Sequence, residues 1–170
     1  MKYYGWLLVA LVALGGSGCA GYKLGPVTGL APRGTSVQIH PFANQTLQPH
    51  LTDEVTAQLR KQLQRDGTFK LATHNDGDLV LTGSITRYHR QEISYQTSDI
   101  LTVSDYRLEV TAHVTARERG TGKIILNQPV PGQTIIRVTS DLTSAERQGM
   151  PLLAADLAKN VTALLSEGGW

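Results

Sequence analysis

The sequence predicts an α+β domain: a two-layer sandwich, two helices packed on one face of a mixed, about four-stranded β-sheet, in the order β-α-β-β-β-α. Three observations lead there. Two stretches, one near residue 50 and one closing the chain, repeat apolar residues at helical spacing. Between and before them, shorter segments alternate apolar and polar residues as half-buried strands do. Each pattern offers a single apolar face, so helices and sheet bury one another.

The first strand is read at residues 35–42, TSVQIHPF, where Val37 and Ile39 share a face, and ANQT follows as a turn. In QPHLTDEVTAQLRKQLQRDG, Leu51, Val55, Leu59 and Leu63 recur every four residues and build one helical stripe. Pro49 suits a first turn, Asp53 and Glu54 complement the positive end of the helix dipole, and Arg60, Lys61 and Arg65 the negative end; Asp66-Gly67 stops the helix. FKLAT gives a short strand before the turn HNDGD. Leu79, Leu81, Gly83 and Ile85 then share one face of a strand running to about Tyr88, and a glycine in mid-strand signals a bulge or a close backbone approach. Residues 90–104 are polar with scattered apolar side chains, and a long connection is expected. From Tyr106, Leu108, Val110, Ala112, Val114 and Ala116 line one face of a longer strand. Arg107, Glu109, Thr111, His113, Thr115 and Arg117 line the other, which is therefore solvated. RGTGK signals a hairpin turn. Pro129 and Pro131 mark the returning strand as an edge strand or a break before QTIIRV. In the last segment Met150, Leu153, Leu157, Val161 and Leu164 share a helical face; Pro151 is expected to open its regular part and Gly168-Gly169 to end it. The first helix joins strands that run parallel if neighbours, and the later strands pair as hairpins.

Ahead of this domain the chain changes character. Lys2 precedes an apolar run, WLLVALVAL, and the small residues Gly16, Ser17 and Gly18 lead to Cys19, the sole cysteine. The run is too short to span a bilayer core, which takes roughly twenty residues. A basic start, a short apolar core and a small-residue exit make a secretory signal peptide. With Cys19 next in line, the site resembles the bacterial lipobox, where cleavage precedes an acylated cysteine; Gly16 stands where the usual lipobox has leucine. A lone cysteine in an exported protein has no internal disulfide partner, and acylation accounts for it. The expected organisation is a lipoprotein signal peptide over residues 1–18, a lipidated N-terminus and Gly/Pro-rich tether over residues 19–34, and one domain over residues 35–170. Ala20 replaces the aspartate that holds lipoproteins at the inner membrane, so a lipid anchor on the periplasmic face of the outer membrane is expected.

Composition and spacing exclude several function classes. Sixteen Lys and Arg stand against fourteen Asp and Glu, which creates no field for nucleic acid, and no recognition motif for it is present. The five histidines, His40, His50, His74, His89 and His113, show no metal-ligand spacing and share no predicted face. With Cys19 as the only cysteine, thiol catalysis is excluded. Asp53 and Glu54 are adjacent, point in different directions and already serve the helix dipole. RGTGK lacks the spacing and the following helix of a phosphate loop. The sequons at Asn44 and Asn160 carry no meaning in a bacterial lipoprotein. No catalytic residue, metal or cofactor is expected.

GYKLGP (residues 21–26), VQIHPFANQT (37–46), LTDEVTAQLRKQLQRDGTFKL (51–71), DLVLTGSITRY (78–88) and YRLEVTAHVTARERGTGKII (106–125) together resemble the LPS-assembly lipoprotein family, LptE. The similarity covers nearly the whole mature chain and the order of its elements, while no single motif is highly specific. It implies a non-enzymatic part of the lipopolysaccharide export machinery, a lipoprotein that plugs the LptD β-barrel of the outer membrane, assists its assembly and binds lipopolysaccharide. It also implies helices on one side of a four-stranded sheet. The alternative class is a lipoprotein adaptor of another envelope or secretion complex, and a lipoprotein hydrolase is disfavoured by the missing nucleophile site.

On the predicted strand directions, the end of strand 78–88, the start of 106–118 and the end of 133–139 meet at one edge of the sheet. Arg87, Arg90, Arg107 and Arg137 gather there, with Arg147 on the approach to the last helix. Guanidinium groups pair well with phosphates, which lipid A usually carries. These five arginines are the expected lipopolysaccharide-binding residues. The competing reading is solvated surface charge, some of it paired with Glu92, Asp105 or Glu146. The opposite edge carries its own basic set, Arg117, Arg119 and Lys123.

Overall fold

A computed structural model describes residues 34–97, 99–139 and 141–167; the expected signal peptide, Cys19 and all of the tether but Gly34 lie outside them. In chain order the described elements are β1 (Ser36–Ile39), β2 (Ala43–Asn44), α1 (Leu51–Asp66), β3 (Lys70–Leu71), β4 (Leu79–Gln96), β5 (Asp99–Glu118), β6 (Ile124–Arg137) and α2 (Leu142–Ser166). The strands form one mixed sheet, β3-β1-β4-β5-β6, and β2 pairs with β4 on the side that β1 occupies lower down. As expected from the helix between them, β1 and β4 are parallel neighbours, in register at Val37↔Leu79. The α+β two-layer reading holds, with six strands in place of about four. Lys70–Leu71 is the short FKLAT strand, and Ala43–Asn44 pairs in parallel with Ser84 and Ile85 where a turn was expected. Two residues are too few to leave an alternation in the sequence.

α1 ends as its sequence dictates. Gly67 takes the left-handed conformation (φ 73°) and its N–H reaches the Leu63 carbonyl at 3.4 Å, the glycine stop that spares a Cβ penalty. Leu51, Val55, Leu59 and Leu63 are fully buried. They meet Leu79, Leu81 and Ile85 of β4 and the even-numbered residues of β5 in one core, to which α2 adds Leu153, Leu157, Val161 and Leu165. Gly83 is the close approach that its mid-strand position signalled. A Cβ there would lie 2.5 Å from the Phe42 ring, which is itself 1% exposed.

Two expectations change, and of the two readings offered for the β6 prolines the edge strand holds. The polar residues 90–104 are not a connection: β4 runs to Gln96 and β5 starts at Asp99, so the two form one long hairpin. At about 3.4 Å per residue, eighteen residues of β4 extend roughly 60 Å. The hairpin outgrows the helices and β6, whose last pair is Asp105↔Arg137. Its end has no core to fill, so it shows no apolar period and reads as loop. Pro129 and Pro131 do not break β6; they sit in its middle, opposite His113 and Thr111, with β6 at the sheet edge. Val138 N–H bonds the Ser104 carbonyl, which fixes the pattern: even-numbered β6 residues bond to β5 and odd-numbered ones face outward. Both prolines are odd and give up no ladder bond. Pro151 does not open the last helix but lies inside it, where it cannot donate to the Arg147 carbonyl. The true start is nine residues earlier, with Asp141 as N-cap accepting from the Ser144 N–H at 2.7 Å.

Candidate functional site

The two faces of the sheet set the geometry. One is covered by α1 and α2. The other, formed by the long strands β4, β5 and β6, carries Thr82, Arg87, His89, Thr111, His113, Thr115, Asn127 and Gln133 and has no element packed on it among the described residues. His89 and His113 thus share a face, contrary to the sequence reading. They stand on separate rows, His89 opposite Glu109 and His113 opposite Ser84. Among the described residues no group of three His, Cys, Asp or Glu could hold a metal ion. No described helix is long and apolar enough to cross a membrane.

The five arginines meet at the upper end, where β4 and β5 approach their hairpin turn, but the sheet divides them. Arg87 pairs with Thr111, Arg107 with Gln91 and Ile135, and Arg137 with Asp105, all on the open face. Arg90 stands opposite the buried Leu108, on the helix side. Arg147 is in the second turn of α2, also on the helix side. Sequence alternation alone could not assign these faces, because a register shift between Ile85 and Arg87 moves the β4 side chains from Arg87 to Glu92 to the other side.

Two of the five are committed to carboxylates. Arg90 Nη1 lies 2.6 Å from Glu146 Oε1, and Tyr88 Oη donates to the same oxygen at 3.2 Å. Arg90 also stands 5.6 Å from the centroid of the Tyr106 ring, a cation–π contact. Glu146 is therefore a hub that fixes β4 to the first turns of α2. Burial, then the Glu146 charge, holds the Tyr88 hydroxyl protonated far above the ordinary phenol range, and the Glu146 bond raises the Arg90 guanidinium further. On the open face Arg137 Nε donates to Asp105 Oδ1 at 2.8 Å, and Ser104 Oγ donates to the other carboxylate oxygen at 2.9 Å. The Arg137 bond, then the Ser104 bond, holds the Asp105 carboxyl below its usual range. Arg87, Arg107 and Arg147 form no ion pair among the described residues and remain available to an external anion.

Arg147 also borders a cavity of about 470 Å³ between the starts of the two helices, with Pro49, His50 and Glu54 on one side and Glu146 and Met150 on the other. At the opposite edge, Arg119 is structural. Its Nε donates to the Gly77 carbonyl at 2.8 Å and its Nη2 to Gln38 Oε1. The competing sequence reading names Asp105 and Glu146 among the carboxylate partners, and both pair with an arginine of the set. It misses which arginine each takes, the Tyr88 bond to Glu146 and the Arg119 clamp, since the Glu146 bonds and the clamp join residues more than forty positions apart.

The comparisons with known proteins follow the same outline. Residues 34–165 match the family described as LptE, lipopolysaccharide-assembly. No curated protein matches significantly in sequence. Among solved structures, the CT253 protein of Chlamydia trachomatis superposes with a TM-score of 0.57 at 11% identity, covering 79% of this chain and 96% of its own. XCC0632 of Xanthomonas campestris gives a TM-score of 0.57 at 9% identity, covering 84% and 88%. At such identities these two share the fold alone. The match over 34–165, carried by a two-layer domain with the expected order of elements, decides the relationship: the chain belongs to the LptE family of lipopolysaccharide assembly.

Proposed function

We propose that the protein is a non-enzymatic lipoprotein of the outer membrane that docks in the lumen of an LptD-type β-barrel, assists its assembly and binds lipopolysaccharide. The observation that carries this reading is the open sheet face, three long strands wide and rich in Thr, His, Gln and Arg, on a domain of this family. A barrel lumen is polar, and such a face meets it by surface complementarity without a reactive residue. Cys19 is the acylated N-terminus and holds the chain to the membrane; stable anchoring takes more than one lipid chain. Arg87, Arg107 and Arg147 offer free guanidinium groups to lipid phosphates, while Arg90 and Arg137 reach a phosphate by exchanging their carboxylate partners.

Photocross-linkers at Thr111 and Thr115 test the docking. A large β-barrel captured from that face supports it, and capture only of peptidoglycan or inner-membrane proteins moves the assignment to an adaptor of another envelope complex. For the lipid, charge reversal at Arg87 and Arg147 is expected to weaken lipopolysaccharide binding, whereas reversal at Arg60 and Lys61 on α1 leaves it unchanged. Arg119 is unsuited as the comparison, because its hydrogen bonds hold the lower edge together. Intact-mass analysis of membrane-extracted protein is expected to show loss of residues 1–18 with added acyl mass, and Cys19→Ser to release the chain.

A further inference from the structure

The two long edges of the sheet are treated in opposite ways. Along the middle of β6, residues 129–133, the outward side is closed. Pro129 and Pro131 have no N–H to offer. The outward Gln133 N–H is taken by Asp156 Oδ2 at 2.9 Å, and the outward Pro131 carbonyl by Asn160 Nδ2 at 2.8 Å. These devices keep foreign strands from adding to an edge. The other long edge has none of them above Ile85. There β2 leaves β4: Asn44↔Ile85 is the last pair, and the Gln45 N–H to the Ile85 carbonyl, 2.9 Å, is the last bond.

Beyond it β4 has a strand partner on one side only, β5. Odd-numbered residues of β5 bond toward β4, so Arg87, His89 and Gln91, opposite Thr111, Glu109 and Arg107, turn their backbone groups to β5. Tyr88, Arg90 and Glu92 turn theirs outward, and no hydrogen bond to those backbone groups exists from that side among the described residues. Register shifts lie below Arg87 and above Glu92, leaving a regular edge of six residues between them, about the usual length of a strand. The stretch holds neither proline nor lysine.

The place beside this edge is shaped. In line with β2 lies a depression of about 380 Å³ between residues 45–48 and residues 86–88. Its wall is rigid. Asn44 Oδ1 accepts from the Thr46 N–H at 2.9 Å and from Thr46 Oγ1 at 2.7 Å, and Asn44 Nδ2 donates to the Gln48 carbonyl at 2.7 Å. This turn carries the chain away from the β4 edge and presents Leu47 fully exposed, at 104%. Arg87 and His89 are exposed along the open-face side of the same stretch.

We infer that the β4 edge over residues 87–92 is a strand-addition site for an extended segment of a protein partner. That segment bonds to Tyr88, Arg90 and Glu92, sets an apolar side chain against Leu47 and an acidic one against Arg87 and His89. The inference rests on the docking proposed above, and it takes the barrel as the source of the segment. The occupant is a partner and not a second copy, because antiparallel self-pairing centred on Tyr88, His89 or Arg90 sets like charges side by side, Arg87 beside the other copy's Arg87 on the open face or Arg90 beside the other copy's Arg90 on the helix side.

The test uses the full chain co-purified in detergent with its barrel. A photocross-linker at Leu47 leaves β4 untouched and is expected to yield one cross-linked barrel peptide containing Asp or Glu. Two pairs of variants then read the backbone: Glu92→Pro against Glu92→Ala, and Arg90→Pro against Arg90→Ala. Proline removes an outward N–H and spares the β5 ladder, so each proline variant is expected to shorten the lifetime of the complex about tenfold relative to its alanine counterpart. A complex that persists with equal lifetimes in both pairs, or that cross-links only from Thr111 and Thr115, overturns strand addition and leaves the docking proposal standing. Failure to isolate any complex with the barrel sinks both. A cross-link joining two copies of this chain, with the mass of a dimer, replaces the partner by self-pairing and overturns the inference as stated.

Discussion

Gly132 offers the sharpest test of how the two layers are held together. It lies on the covered face of β6 opposite Val110, directly beneath α2. A Cβ at this position would come 2.7 Å from both the backbone N and the Cβ of Leu157, and 2.9 Å from its Cα. The obstacle is helix backbone, so no side-chain rotation relieves it. In Gly132→Ala, α2 has to lift by roughly 0.7 Å to restore van der Waals separation. Overpacking of this kind costs about 1–3 kcal/mol. The lift also pulls Asp156 and Asn160, one turn apart on α2, away from the β6 edge, weakening their bonds to the Gln133 N–H and the Pro131 carbonyl. A total near 2 kcal/mol corresponds to a fall in Tm of about 4–8 °C for a domain of this size. Thermal circular dichroism measures the fall, and amide exchange at Gln133, faster in the variant, locates it. Gly120→Ala is the comparison: nothing lies within 4 Å of a Cβ there and its φ is ordinary, so stability is expected to hold or rise slightly. A Gly132→Ala protein that melts within a degree of the parent, with Gln133 equally protected, would refute the claim that α2 rests on bare β6 backbone.

Other outcomes follow from the same contacts. Glu146→Gln breaks the hub under Tyr88 and Arg90 and is expected to cost about 1 kcal/mol, a modest figure because the Arg90 side chain is 41% exposed. Tyr88 is held protonated in the fold, so stability falls as pH rises above about 10; the variant shows a shallower fall, and its Tyr88 phenol titrates lower in an ultraviolet-detected titration. The depressed Asp105 carboxyl works in the other direction. Its contribution is present above the unfolded value near 4 and is lost as pH drops through the lower folded value. Asp105→Asn therefore flattens the acid limb of a stability profile, and an unchanged limb would show that the Arg137–Asp105 pair contributes nothing. His50 holds a left-handed φ of 63° at the start of α1 with no side-chain cap bond. His50→Gly removes the Cβ strain and should raise Tm by about 2 °C, the net of roughly 1–2 kcal/mol of strain and the entropy of glycine in the unfolded chain.

Much of this architecture was already written in local patterns. The stripe from Leu51 to Leu63, the Gly67 stop and the alternation from Leu108 to Ala116 each depend on neighbours within one element, and each period has one physical reading. The family resemblance drew on the same stretches. Gly83 was legible as a close approach because a mid-strand glycine has few other reasons to exist, although only the fold reveals Phe42 as its partner. Even the edge position of the strand with Pro129 and Pro131 followed from their missing N–H groups. Asp141, by contrast, was an available N-cap signal that the prominence of Pro151 concealed.

What the tertiary structure decided is everything that depends on register and distance along the chain. The register shift after Ile85 is a property of two paired strands, and it sends Arg90 to Glu146 on the helix side and Arg87 to the open face. The arginines that one expected cluster united are thereby separated by the thickness of the sheet. Residues 90–96 and 99–104 became strand because the two arms pair with one another across the hairpin, a pairing that requires no apolar period. Glu146 lies 56 residues from Arg90, and Arg119 lies 42 from Gly77; no spacing rule reaches that far. Sequence by itself determined which residues each element must bury, because burial follows from local periodicity. Only the folded chain decided which charges were left free, because a charge is free or paired according to what long-range packing brings within about 3 Å of it.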